Sequence, residues 1–158
     1  MAVDFFLELD EINGESKDAK HTDQITIQSF SWGARQHTSV SGTGGSGAGR
    51  ATLADLMVTK EYDASSGPIY KALLLGTHIK TGVLSAVKSG GDGSAFLTIS
   101  LGELFITSIQ IGASNETPTE SVTFSYNHIE TAYMQQMENG QIQAKAPVIY
   151  DLKANQVS

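Results

Sequence analysis

Cysteine is absent from the 158 residues. Its absence excludes disulfide frameworks, thiolate metal sites and cysteine nucleophiles, so packing alone has to hold the fold. Positive charge is scarce as well: 10 Lys and Arg against 17 Asp and Glu leave a formal net charge of −7. An acidic chain repels phosphate backbones and anionic lipid surfaces, which argues against nucleic-acid or membrane partners and in favour of protein ones. No apolar run approaches the roughly 20 residues that span a bilayer. The longest candidate, residues 96–111, is broken by Ser100, Gly102, Glu103 and Ser108. The segment Met1-Ala2-Val3-Asp4-Phe5-Phe6 has no basic n-region and meets an acid at once, so no secretory signal is expected. The length suits one domain over residues 1–158, able to bury about 68–70% of its unfolded surface in one core.

What the chain does have is alternation. Residues 3–9 put Val3, Phe5, Leu7 and Leu9 on one face of a predicted strand and Asp4, Phe6 and Glu8 on the other. Residues 10–23, centred on Gly14-Glu15-Ser16-Lys17-Asp18, have the polar composition of a surface loop. In the next strand, residues 25–35, the apolar phase moves from Ile25 and Ile27 to Phe30 and Trp32, and a bulge near Gln28 and Ser29 is expected. Residues 53–60 make another strand, weakened by Asp55. One helix is expected: Ser66 or Gly67 caps it, Pro68 suits its first turn, Ile69, Ala72 and Leu73 form an apolar stripe, and Gly76 ends it.

Strand patterns resume over 79–88, 95–111 and 119–133, the first two joined by a hairpin tip, Ser89-Gly90-Gly91-Asp92-Gly93. Gly102 and Glu103 mark an expected bend. A second phase shift, from Val122, Phe124 and Tyr126 to Ile129, Thr131 and Tyr133, falls near Asn127 and His128. Asn139-Gly140 reads as a tight turn into the last strands, where Val148, Tyr150 and Leu152 alternate. Neither repeats nor a second domain stand out. Seven to nine strands and one helix predict a mainly β fold, a small closed or nearly closed β-barrel of two curved antiparallel sheets with one short flanking α-helix.

The glycine-rich stretch of residues 42–49 imitates a nucleotide site without its chemistry. Gly42, Gly44 and Gly47 satisfy G-x-G-x-x-G, but a strand pattern follows where a helix N-terminus would have to hold the pyrophosphate. Read as a phosphate loop from Gly44 to Gly49, it has Arg50 in the lysine position and Ala51 in that of the magnesium-binding hydroxyl. No cofactor is therefore expected, and the stretch is taken as a long, mobile connector. His21, His37, His78 and His128 lie far apart without flanking carboxylates, so no metal is expected either. No serine sits in a G-x-S-x-G elbow, and Asp4, Glu8, Asp10 and Glu11 read as a solvated strand end rather than paired catalytic acids. Asn115-Glu116-Thr117 reads as a loop, since glycosylation needs a secretory route. A nucleophile needs a base and an orienting group, and none can be named here, so the expectation is a protein without catalytic residues.

Ser29-Phe30-Ser31-Trp32-Gly33, followed by Gln36, resembles the Hcp family, the tube-forming protein of bacterial type VI secretion. Other landmarks fall in the same order: the N-terminal Met1-Ala2-Val3-Asp4-Phe5-Phe6, the loop from Gly14 to Asp18 with His21, the glycine-rich stretch before a strand, and Val122-Thr123-Phe124-Ser125-Tyr126. The resemblance covers essentially the whole chain. It departs where Gly67 intervenes in Ser65-Ser66-Gly67-Pro68 before the helix.

The resemblance implies a homohexameric ring with an open lumen, rings stacked into a tube, and assembly in the bacterial cytoplasm. It also implies partners in a VgrG spike, a contractile sheath and small effectors, and secretion to the medium or a target cell without a signal peptide. Alternation plus family position make Ser29 and Ser31 lumen-facing candidates. Ring-stacking candidates are Gly42, Gly44, Gly45, Gly47 and Gly49 by family counterpart, and Gly90, Gly91 and Val157 as a protruding turn and chain end on opposite faces. Trp32 is expected in the core or at a subunit boundary. The alternative is a secreted β-barrel effector or host-surface binding module on the same barrel.

Overall fold

Backbone pairing in this chain changes sheets wherever its apolar phase changes. The structure, a computed structural model, describes residues 2–41 and 45–158. In chain order the first elements are β1 (Val3–Leu9), β2 (Ile25–Ile27), β3 (Ser29–Ser31), β4 (Ala34–Arg35), β5 (Thr38–Ser41), β6 (Gly45–Ala48), β7 (Thr52–Leu53) and β8 (Leu56–Glu61). The helix α1 (Ser66–Leu75) follows, then β9 (Ile79–Lys88), β10 (Ala95–Gly112), β11 (Thr119–Ser125) and β12 (His128–Gln136). The chain ends with β13 (Ile142–Ala144), β14 (Val148–Asp151) and β15 (Gln156–Val157).

One antiparallel sheet runs β2-β1-β9-β10-β12-β14-β15 and the other β3-β8-β11-β10. Strand β10 belongs to both: its first half pairs β9 and β12, and from Phe105 onward it pairs β11. Between the halves Glu103 takes φ 52°, the left-handed conformation that turns the strand, at the bend expected there. The phase shift at Gln28 is the opposite border of the barrel. Residues before it pair β1, residues after it pair β8, and Gln28 itself donates its N–H to the Thr59 carbonyl at 2.8 Å. The shift at Asn127 likewise separates β11 in one sheet from β12 in the other. The barrel is nearly closed, since β2 and β3 meet end to end rather than side by side.

Between the sheets lies one apolar core, including Leu7, Ile25, Leu56, Val58, Leu104, Val122 and Phe124, all at most 1% exposed. The helix packs Ile69 and Ala72 into that core and stops at Gly76, whose φ of 63° lets Gly76 N–H donate to the Leu73 carbonyl at 3.2 Å and Thr77 N–H to the Ala72 carbonyl at 2.9 Å. Phe6, expected on the polar face of β1, is buried. The loop expected at the surface folds back over it: Gly14 N–H donates to the Asp23 carbonyl, Ser16 N–H to Gln24, and Ser16 and His21 are buried. Gly14 is required there, because a Cβ would stand 2.6 Å from both the Gln24 oxygen and the Ile25 Cα.

Within the stretch taken as a long connector, Gly45–Ala48 is instead a strand paired with β5. Strands β5 and β6 pair from Thr38 with Ala48 to Ser41 with Gly45, and Gly49 N–H continues the ladder to the His37 carbonyl. Pairing uses backbone groups alone, so a segment with few side chains can form a strand that apolar alternation does not reveal. Gly42 and Gly44 lie outside the described residues. At Asn139-Gly140 the expected turn is present, with Gly140 at φ 83° and Met137 N–H donating to Gln141.

Candidate functional site

Period-two alternation gives the β3-β8-β11-β10 sheet two faces of different chemistry. Along β8 the burial alternates Leu56 in, Met57 out, Val58 in, and along β11 Glu120, Val122 and Phe124 point inward between half-buried Thr119, Ser121, Thr123 and Ser125. Residues directly opposite in an antiparallel pair share a face. Register therefore lines up Ser29, Thr59, Ser121 and Gln110 in one outward row, and Ser31, Met57, Thr123 and Ser108 in the next. None of the eight is charged, and all but Met57 and Gln110 carry a hydroxyl. Such groups donate or accept as a partner requires and impose no fixed charge. Phe30, between the two serines, turns inward and meets Phe5 edge-on at 5.2 Å.

The inner face of the same strands carries something the sequence reading did not single out. Lys60 and Glu120 are register partners and their side chains are fully buried. The Lys60 ammonium contacts Glu120 Oε1 and bonds Asp63 Oδ1 at 2.9 Å, Ser66 Oγ at 3.1 Å and the Glu61 carbonyl at 3.0 Å. Ser66 Oγ donates to Glu120 Oε1 at 2.5 Å. A buried charge is tolerated only when paired and hydrogen-bonded. This network meets that condition for the ammonium and anchors the first turn of α1. Its signal was available: Lys60 follows Val58 by two residues and Glu120 precedes Val122 by two, so both stand in the inward phase.

Trp32 sits at the border between the sheets, half-buried. Its Nε1 donates to the Tyr126 hydroxyl at 2.5 Å, which donates in turn to the Ala54 carbonyl at 2.8 Å. Burial pushes the Tyr126 phenol above its ordinary value. Beside it opens an almost wholly apolar hollow of about 220 Å³, lined by Trp32, Leu53, Ile129, Val148, Tyr150 and Val157 among others.

Strand register also fixes the two ends of the larger sheet. Leu9, Gly82, Leu101, Ile129, Tyr150 and Val157 form one cross-strand row. Gly90 and Gly91 lie beyond Lys88, six residues further along β9, which at about 3.3 Å per residue is near the opposite end. Val157 is 67% exposed. At its end of the sheet the Lys153 ammonium bonds the exposed Glu103 and holds that carboxyl below its ordinary value. At the other end the Ser94 amide and hydroxyl lower Asp92. Histidine 21 stacks on Phe6, whereas His78 lies against Phe105. Among the described residues no three His, Asp or Glu gather as a metal site would require.

Comparison with known proteins agrees across sequence and fold. A family model described as type VI secretion system effector, Hcp, matches residues 6–133. Protein hcp1 of Pseudomonas aeruginosa is 34% identical over 143 residues, covering 89% of this chain and 88% of that protein. A solved type six secretion system protein superposes with TM-score 0.93 at 31% identity over 99% of this chain and 100% of its own. Hcp1 from Salmonella typhimurium superposes with TM-score 0.81 at 25% identity over the full length of both.

Proposed function

The chain belongs to the Hcp family of type VI secretion, and from that premise we propose that six copies close into a ring whose lumen wall is the face carrying Ser29 and Ser31. The observation that carries this reading is the pair of uncharged, hydroxyl-bearing rows on that face, in a chain of net charge −7. A passage for varied effectors needs adaptable polar groups rather than fixed charged anchors. The apolar hollow beside Trp32 supports a subunit boundary at that border, since an exposed apolar depression is a natural seat for a neighbouring copy. Residues 1–158 act as one such unit, and the function is structural, with no catalytic step.

Rings stack head to tail, which requires two different and complementary faces. The end carrying Gly90 and Gly91 and the end carrying Val157 are the proposed faces, and the β5–β6 hairpin with Gly45, Gly47 and Gly49 is the further proposed contact with the neighbouring ring. The tube assembles in the cytoplasm within a contractile sheath, under a VgrG spike, and leaves the cell with its cargo.

Light scattering of the purified protein tests the ring: a mass of six chains is expected, and a monomer at every concentration overturns it. Gly90→Cys combined with Val157→Cys joins rings into reducible tubes if these ends meet. Growth that stops at ring pairs, with both thiols reactive, places one of them on the wrong face. Ser31→Gln is expected to leave the hexamer intact and reduce effector retention, and unchanged retention of every cargo removes Ser31 from the lumen wall.

A further inference from the structure

The hairpin tip at residues 89–94 contains three glycines in six residues, and Gly90 and Gly93 take φ of 78° and 85°. A turn of that composition has many accessible conformations, and holding one of them costs entropy. Here it is tied from outside. The Gly93 carbonyl lies 3.0 Å from His21 Nε2, the Ser94 hydroxyl accepts from Lys20 Nζ at 3.3 Å, and Ser89 N–H donates to the Ala2 carbonyl at 3.1 Å. The Lys20 side chain lies so close over Gly93 that a Cβ there would stand 3.0 Å from its Cδ.

His21 is the fixed point of this clasp. It is 7% exposed, its ring lies flat on Phe6 with centroids 4.5 Å apart, and its Nδ1 is 3.2 Å from Gln24 Oε1. Phenylalanine could fill the same stack. What imidazole adds is a donor: a carbonyl only accepts, so Nε2 carries the proton that reaches Gly93. The loop at residues 14–24, which sends no residue into the lumen-facing rows, thus holds the shape of a tip at the far end of the sheet.

We propose that His21 is a positioning residue for ring stacking, holding the 89–94 tip in the conformation in which it meets the next ring; this rests on the reading that the tip is a stacking face. The test is His21→Phe in the full chain, read by amide exchange at residues 91–94, by light scattering, and by sedimentation of hexamers at rising concentration. Loss of one partly buried hydrogen bond of this kind corresponds to up to about a tenfold change in an equilibrium. Exchange at the tip is therefore expected to quicken by up to about tenfold, the six-chain mass to persist, and ring association to need up to about tenfold more protein. Unchanged exchange at the tip overturns the proposal. Faster exchange with undiminished association also overturns it if shortening the tip abolishes stacking, because the tip then works without its clasp. If shortening the tip leaves stacking intact, the stacking reading itself has failed and the proposal falls with it. Should the variant not fold, nitrogen NMR of the unmodified protein decides: an Nε2–H protected from exchange supports the clasp, and a ring protonated on Nδ1 alone refutes it.

Discussion

The two faces of the β8–β11 pair are made by alternate residues of the same two strands, yet they obey different rules. Outward, Thr59, Ser121 and Thr123 are half-buried hydroxyls with room to meet water or a guest. Inward, Val58, Val122 and Phe124 are wholly buried, and Lys60 and Glu120 stand among them as a charged pair. The outward residues can change partners without cost to the fold. The inward pair cannot, because neither charge has water to fall back on. The comparison teaches that polarity along a strand does not report exposure: Lys60 is more buried than Thr59 beside it.

Breaking the inward pair should produce the largest effect. Lys60→Ala leaves Glu120 buried without its cation, and a loss of about 3–5 kcal/mol in unfolding free energy is expected from urea titration. Replacing both, Lys60→Met with Glu120→Leu, should recover most of that loss, since well-packed apolar side chains often match or exceed a buried ion pair. A double variant as unstable as the single one would show that the pair does more than satisfy itself.

Tyr126, at the border between the sheets, tests an intermediate case. Tyr126→Phe removes the Trp32 and Ala54 hydrogen bonds and is expected to cost about 1–2 kcal/mol, measured in the same titration. The phenol also sets an alkaline limit. Its folded value is raised above the ordinary value of 10.0, so the native state keeps a proton that the unfolded chain releases, and this contribution is full below about pH 10 and lost as pH rises above it. Stability of the unaltered protein should fall as pH rises above about 10, and Tyr126→Phe should flatten that fall. An equal fall in both proteins would assign it to other groups.

Substitution on the outward face should matter least to stability. Thr59→Val and Thr123→Val keep the branched shape a strand favours, and shifts within about 0.5 kcal/mol are expected by thermal or urea unfolding. On the proposal that this face lines the lumen, loss of two hydroxyls should alter effector retention in the direction of Ser31→Gln. A destabilisation as large as that of Lys60→Ala would mean that this face is packed against something in the protomer.

Much of this molecule was legible in the chain. Alternation marks β1, β8, β9 and β11, the Ser66 to Gly76 signals mark the helix, and the two phase shifts fall where the backbone passes between sheets, because side-chain direction inverts when the buried side does. Ser29 and Ser31 emerge on the exposed side for the same reason. Periodicity failed where side chains carry little information. The β5–β6 hairpin is built from glycine and small residues, and the loop over Phe6 is polar though two of its side chains are buried.

By itself, the sequence determined a cysteine-free, acidic β chain of a recognisable family, since composition and short-range pattern depend only on neighbours along the chain. Tertiary structure decided which distant residues meet: Lys60 with Glu120, His21 with Gly93, Trp32 with Tyr126. Those pairs are separated by 60, 72 and 94 residues. Register sets them, and register follows from burying one face of every strand at once, a condition that the face-to-face packing of the two sheets satisfies.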